Sequence, residues 1–258
     1  MSTPTPQAPG SGADEKRRPS VFWPLAAIIV PAMGLLARIE IEGGENLPKN
    51  GAYVVAPNHC SEIDPLVVAV AVWRLGRAPR FMAKESLFRV PVLGAVLRAA
   101  GMVPVARSSS AGGARQTIES SRMLVEHGRG VIVYPEGSLT RDPDMWPMRG
   151  KTGAVRLALA GGIPLIPVAH WGAQEILPRY GKLRLWPLRR RVRVVFGEPI
   201  DLSAASATQT QPSTLVAATD VLMGRVAELL SGLRGRPAPA ERWNPSAHGQ
   251  KETGRLEP

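Results

Sequence analysis

Three short stretches of this chain put polar side chains where an apolar run stops, and each holds residue types suited to a different task. The first is Ala56-Pro57-Asn58-His59-Cys60-Ser61-Glu62-Ile63-Asp64-Pro65. A His followed five positions later by Asp forms a base–orienter pair if the turn between them folds back. The carboxylate then fixes the imidazole tautomer and stabilises the imidazolium formed on proton uptake. Asp64 has a second reading, because Asp-Pro ahead of an apolar run is a helix N-cap followed by Pro at the first helical position. Both readings can hold, since a carboxylate has two oxygens. The second stretch, Gly101-Met102-Val103-Pro104-Val105-Ala106-Arg107, carries an Arg to the end of a strand pattern. Guanidinium suits bidentate phosphate binding, although an exposed Arg is also ordinary surface. In the third, Val133-Tyr134-Pro135-Glu136-Gly137-Ser138-Leu139-Thr140-Arg141, a strand pattern stops at Pro and a Glu follows in a loop. Glu136 is placed to orient substrate hydroxyls or to hold Arg107, or it is a plain turn acid.

Other reactive residues offer less. The single cysteine, Cys60, excludes an intramolecular disulfide and gives no metal-site spacing, so a reducing, cytosol-facing location is the easier reading. An acyl-cysteine at Cys60 beside His59 is disfavoured, because adjacent side chains on an extended segment point to opposite faces. No Gly-x-Ser-x-Gly nucleophile elbow occurs. His127 precedes Gly128 at an expected helix end, His170 follows a strand pattern in a structural role, and His248 lies near the C-terminus. No His, Cys and carboxylate cluster proposes a metal.

The elements that must position these residues alternate along the chain. Expected strands are Arg38–Glu42, Ala52–Ala56, Arg80–Ala83, Met102–Val105, Gly130–Tyr134, Pro164–Val168 and Val192–Phe196. Expected helices are Pro65–Trp73, Val90–Ala99, Ala111–His127, Thr152–Leu159 and Thr214–Leu233. Runs such as Tyr53-Val54-Val55-Ala56 and Val131-Ile132-Val133-Tyr134 suit strands covered on both faces. The fold class is therefore α/β, a single domain with a mixed, largely parallel sheet flanked by helices. The domain spans 38–234, with disordered tails at 1–20 and 235–258, where Pro, Gly and polar residues dominate. Residues 21–37 (VFWPLAAIIVPAMGLLA) carry no charge and follow Lys16-Arg17-Arg18. They are short for the ~30 Å hydrocarbon core and hold Pro24 and Pro31, so they read as an in-plane or partly inserted membrane helix.

Of the 258 residues, 32 are Lys or Arg and 21 Asp or Glu, a net charge of +11. Such a chain is drawn to nucleic acid, anionic membrane or phosphorylated substrates. Lys182, Arg184, Arg189, Arg190, Arg191 and Arg193 cluster without an acid between them, as a basic patch or a solvated hairpin. Nucleic acid is disfavoured: there is no recognition motif, and aromatics are 5%.

Four blocks, Asn58-His59-x4-Asp64, Gly101-x-x-Pro-Val-x-Arg107, Tyr134-Pro135-Glu136-Gly137-Ser138 and Ile166-Pro167-Val168, occur in order. In type and spacing they resemble the 1-acylglycerol-3-phosphate O-acyltransferase family. The resemblance implies acyl transfer from acyl-CoA or acyl carrier protein to lysophosphatidic acid, giving phosphatidic acid, with no cofactor. It implies His59 as general base with Asp64 as partner, and Gly101, Arg107, Glu136 and Gly137 as the acceptor-phosphate region. Ser138 completes the third block, and Ile166–Val168 would line the acyl or glycerol pocket. Lys84 and Lys151 match basic positions that recur in the family, facing phosphate or a developing oxyanion. In the third block Leu139 stands where the family commonly has Arg; Arg141, two residues on, is the substitute cation. Pro104-Val105 replace a frequent Phe-Ile and leave Arg107 in register. The same motifs serve other acceptors, glycerol 3-phosphate or another lysophospholipid, and a non-catalytic membrane-binding member is a further alternative. The expected location is the cytoplasmic face of the cell membrane, through 21–37 and the basic patches.

Overall fold

Strands, several of them continuous apolar runs, form the centre of the molecule, and the structure, a computed structural model, describes residues 20–105, 111–206, 211–252 and 254. The strands are β1 (Ala37–Glu42), β2 (Tyr53–Pro57), β3 (Met82–Lys84), β4 (Val103–Val105), β5 (Gly130–Ile132), β6 (Leu165–Trp171) and β7 (Arg190–Phe196). A five-stranded sheet has the order β1-β7-β6-β2-β5. β2 pairs parallel with both β5 and β6, β1 pairs parallel with β7, and only β6 and β7 run antiparallel. β3 and β4 form a small parallel sheet, joined to β5 by a bridge between Phe81 and Ile132.

Helices cover both faces: α1 (Phe22–Leu36), α2 (Asp64–Arg74), α3 (Leu93–Ala99), α4 (Ala111–Glu126), α5 (Gly153–Gly161), α6 (Ala173–Ile176), α7 (Ser203–Ser206) and α8 (Pro212–Arg234). Successive strand residues point to opposite faces. Tyr53 and Val55 thus join Val67 and Val70 of α2 in one core, while Val54 and Ala56 join Leu157 of α5 and Leu222 of α8 in the other. The expected α/β fold with a mixed, largely parallel sheet is the one observed.

Several local expectations change. β6 runs to Trp171 rather than Val168, because β7 pairs with it from Val168 to Trp171. α6 and α7 are four-residue helices, too short to show a period. Pro24 and Pro31 do not interrupt α1. Pro24 sits in the first turn, where its missing N–H has no intrahelical partner, and Pro31 forfeits one helical bond. At 1.5 Å per residue α1 is about 22 Å long, and among the described residues no helix is long and apolar enough to cross a membrane. The segment from 235, expected to be disordered, lies against the domain as far as it is described. The Arg149 amide donates to the Trp243 carbonyl at 3.0 Å, Arg242 pairs with Asp220 at 2.7 Å, and Pro245 is buried. Trp243 and Pro245 give this otherwise polar stretch apolar surface to bury. The N-terminal tail, apart from Ser20, lies outside the described residues.

One buried cation closes the end of the sheet opposite the strands' carboxyl ends. Arg77 donates to the carbonyls of Pro48, Gly51 and Gly128, each at 2.8 Å, with its guanidinium 4.7 Å from the centre of the Tyr53 ring. The same ring lies over Gly130, where an added Cβ would come within 1.9 Å of it. Gly130→Ala is therefore expected to cost about 2 kcal/mol or more, the usual scale for overpacking a core, read as a lower urea midpoint. An unchanged midpoint would mean that Tyr53 moves aside freely.

Candidate active site

β2, β5 and β6 are neighbours and parallel, so their carboxyl ends open on one side, where ligands bind in open α/β sheets. The turn after β2 carries His59 and Asp64. Asp64 Oδ2 accepts the amide N–H groups of Cys60 and Ser61, both at 2.7 Å, and stands 3.0 Å from His59 Nδ1. A carboxylate oxygen in this setting accepts, so Nδ1 carries the proton and Nε2 is left with a free lone pair. The Asp64 side chain is fully buried, while that of His59 is 16% exposed. The pair is thus dry at the carboxylate and open at the imidazole.

Asp64 does not cap α2. Ile63 holds the N-cap position and no side chain caps the helix. The carboxylate instead turns back to the amides ahead of it, while its place in the first helical turn still favours negative charge.

Residues that follow β5 and residues of β6 fix the turn from outside. Glu136 is fully buried; its Oε1 accepts the His59 amide at 2.8 Å and its Oε2 the Met148 amide at 3.0 Å. Burial lifts its carboxyl from 4.5 to about 8 against the opposing pull of these amides. It therefore braces the backbone of His59, a contact that the sequence reading does not include. The Tyr134 ring stacks on the imidazole, centroids 4.2 Å apart, and the Thr140 amide donates to the His59 carbonyl at 2.7 Å. On the β6 side Asn58 and His170 hold each other. The His170 amide donates to Asn58 Oδ1 at 2.9 Å, Asn58 Nδ2 to the His170 carbonyl at 3.2 Å, and His170 Nε2 to the Asn58 carbonyl at 2.9 Å. Asn58 and Tyr134 stand in the sequence blocks but carry no assigned role there, and Met148, in the loop before α5, is not marked by its residue type at all.

Cys60 is buried, and burial together with the Asp64 and Glu136 charges pushes its thiol well above its ordinary range. It is a poor nucleophile here. Cys60, Asp64 and His170 come close enough to suggest a metal site. However, Asp64 Oδ2 already accepts from N–H groups, His170 Nε2 donates its own proton to the Asn58 carbonyl, and the thiol resists ionisation, so the set does not fit an ion.

The other expected site residues are spread more widely. Gly137 takes a φ of +73°, and a Cβ there would meet the Lys151 side chain at 3.2 Å, so Lys151 lies over this glycine. Glu136 and Lys151 line one cavity of ≈ 280 Å³ with Met148 and Glu252. Gly101 lines another, a groove of ≈ 1010 Å³ with Arg98 and Arg129. With a φ of +64° it ends α3, where the Met102 amide reaches the Leu97 carbonyl at 2.9 Å. Ser138 Oγ donates to the Glu252 carbonyl at 3.4 Å and buried Arg141 to the Gly254 carbonyl at 3.2 Å, so both meet the C-terminal segment. Lys84 closes β3. Arg107 lies outside the described residues. Ile166 and Val168 are buried in the core between sheet and helices.

A tautomer-fixed imidazole at the ends of parallel strands is equipped to take a proton from an acceptor group. The family model described as Acyltransferase matches residues 38–171, which span the sheet from β1 to the end of β6. The chain belongs to this acyltransferase family. It is 30% identical over 145 residues to a chloroplastic 1-acyl-sn-glycerol-3-phosphate acyltransferase of Brassica napus, covering 55% of this chain and 39% of that protein. It is 29% identical over 197 residues to a 1-acyl-sn-glycerol-3-phosphate acyltransferase of Bacillus subtilis, covering 76% of this chain and 90% of the relative. The chain thus spans well under half of the first of these and most of the second. In fold it is similar to the crystal structure of the 1-acyl-sn-glycerophosphate acyltransferase of Thermotoga maritima, with a TM-score of 0.57 at 24% identity over 86% of this chain and 80% of that one.

Since Glu136 rises from 4.5 to about 8 on folding, the folded protein holds this proton more tightly between those values. Its stabilising contribution is full below pH 4.5 and lost as the pH rises through about 8. The wild type is expected to lose stability relative to Glu136→Gln across that window, measured by urea unfolding at several pH values. A difference independent of pH would show that Glu136 does not titrate there.

Proposed function

We propose that this chain moves a fatty acyl group from acyl-CoA or acyl carrier protein to the free hydroxyl of lysophosphatidic acid, giving phosphatidic acid at the cytoplasmic membrane face. The observation that carries this reading is the 3.0 Å contact between His59 Nδ1 and a buried, doubly amide-bound Asp64 oxygen, within a chain of the acyltransferase family. Asp64 holds the tautomer. His59 Nε2 takes the acceptor's hydroxyl proton as the oxygen attacks the thioester carbonyl. The tetrahedral intermediate collapses with cleavage of the C–S bond, and the imidazolium returns its proton to the departing thiolate. A thiol leaves readily, since free cysteine has a pKa of about 8.5. One base is therefore enough, and no acyl-enzyme is needed. The deeply buried Cys60 is consistent with direct transfer.

Gly137, Ser138, Lys151 and Arg141 near the brace Glu136, together with Gly101, Arg107 and Lys84, are the residues proposed to receive the acceptor phosphate and the developing oxyanion. Lys151 over Gly137 supports a cation at that loop. The apolar outer face of α1 is proposed to lie on the membrane that holds the lipid substrate.

Thiol release from palmitoyl-CoA by detergent-solubilised protein, with and without lysophosphatidic acid, tests the reading. Release is expected only with acceptor present, and His59→Ala is expected to lower it on the order of 10³-fold with the fold intact. Release without acceptor would make the protein a thioesterase. Asp64→Asn, which keeps the shape but unsettles the tautomer, is expected to lower kcat at least about 10²-fold; full activity would remove Asp64 from the mechanism.

A further inference from the structure

The chemistry above leaves the segment between α6 and β7 without a task. Residues 181–189, Gly-Lys-Leu-Arg-Leu-Trp-Pro-Leu-Arg, are exposed throughout. Trp186 is 81% and Leu185 58% exposed, and Leu183 and Leu188 stand out from the surface beside them. A contiguous exposed apolar group of this kind marks an interaction site. The loop is tethered by backbone bonds, from the Arg184 amide to the Ile176 carbonyl at 2.8 Å and from the Arg189 amide to the Leu35 carbonyl at 3.0 Å.

The second tether joins the loop to the C-terminal end of α1. Parallel pairing of Ala37 with Arg190 sets the starts of β1 and β7 side by side, so α1 and the loop approach the sheet from the same end. α1 exposes an apolar stripe that includes Trp23, Ala27, Ile28, Pro31 and Leu35, with Ile28 at 70% and Leu35 at 63%. Loop and helix therefore present apolar surface from one end of the molecule. Lys182, Arg184, Arg189 and Arg190 interleave with the loop's leucines and tryptophan, and no acid occurs between Gly181 and Arg193.

We propose that residues 181–189 form a second lipid contact, in which Leu183, Leu185, Trp186 and Leu188 enter the interface of an anionic bilayer while Lys182, Arg184 and Arg189 meet lipid phosphates. This rests on the membrane-surface reading of α1 proposed above and adds a second anchor to it. Tryptophan belongs at the headgroup level, and basic residues are drawn to anionic lipid. Stable peripheral binding takes two signals rather than one, and two separated contacts also stop the domain from turning about α1. An acidic carrier protein would satisfy the cations but leave the leucines and Trp186 in water, so a bilayer fits the whole surface better.

The test uses the full chain and vesicles of phosphatidylcholine with or without phosphatidylglycerol. Wild type is expected to sediment with the anionic vesicles, and Leu185→Ser/Trp186→Ser/Leu188→Ser to bind them roughly tenfold more weakly or worse. The variant's turnover on a short-chain, monomeric acceptor should not change. Cys60 is buried, so Trp186→Cys takes an environment-sensitive label selectively, and its emission should shift to the blue on anionic vesicles. Equal binding by wild type and variant, or an unmoved label, overturns the proposal. So does a variant that binds vesicles normally but fails only with acyl carrier protein as donor, which would assign the loop to that protein. A wild type that binds through the loop yet transfers no acyl group would sink the proposed activity and leave the lipid contact standing.

Discussion

Asp64 Oδ2 gathers three N–H groups, the amides of Cys60 and Ser61 and the imidazole of His59, inside the short turn that follows β2. Each contact alone is a modest charge-assisted bond. Together they set the turn's backbone and the tautomer of the ring at once, because a single buried oxygen cannot serve all three unless each donor is in place. With the carboxylate removed from water, its interactions are stronger than they would be at the surface, and its cost if left unpaired would be greater. The remaining architecture can be understood as whatever holds this turn at the mouth of the sheet.

Two neighbouring strands supply that support. β5 leads to Glu136, which ties the His59 amide to Met148 in the loop beyond, and to Tyr134, whose ring covers one face of the imidazole. β6 leads to His170, which locks Asn58 through a reciprocal pair of bonds. His59, the proposed base, is therefore gripped from both sides, while its outer edge stays open. For the proposed reaction this is preorganisation in a simple form: Nε2 is positioned before substrate arrives, so little ordering is left for the chemical step.

The molecule is also asymmetric. Its outer sheet edge, at β1, carries α1 and the basic, apolar loop before β7, while the inner strands carry the polar turn. A domain whose apolar features gather at one end suits the lipid acceptor proposed for it, which need not leave the membrane fully to meet His59. The C-terminal segment from Trp243 packs beside the Glu136 loop, so this part of the chain also shapes the surroundings of the site.

Patterns that depend on a few adjacent residues were readable directly. The inner strands β2, β5 and β6 show as apolar runs, because a strand covered on both faces needs apolar residues throughout, β1 and β7 show as alternating patterns, and α8 shows as a spaced stripe. His59 and Asp64, five positions apart, were legible as a pair, although sequence left open whether the acid served the ring or the helix. Tertiary structure decided that question, and decided what Glu136 does, since its partner amide on His59 lies 77 positions away. It moved Gly101 to the end of α3, lining a groove separate from the Glu136 cavity, and turned Ser138 and Arg141 toward a C-terminal segment expected to be free. The physical reason is the same in each case. Local spacing reports how a segment folds on itself, whereas a buried polar group takes whichever partner the packed chain brings within reach, and that partner leaves no mark in the neighbouring sequence.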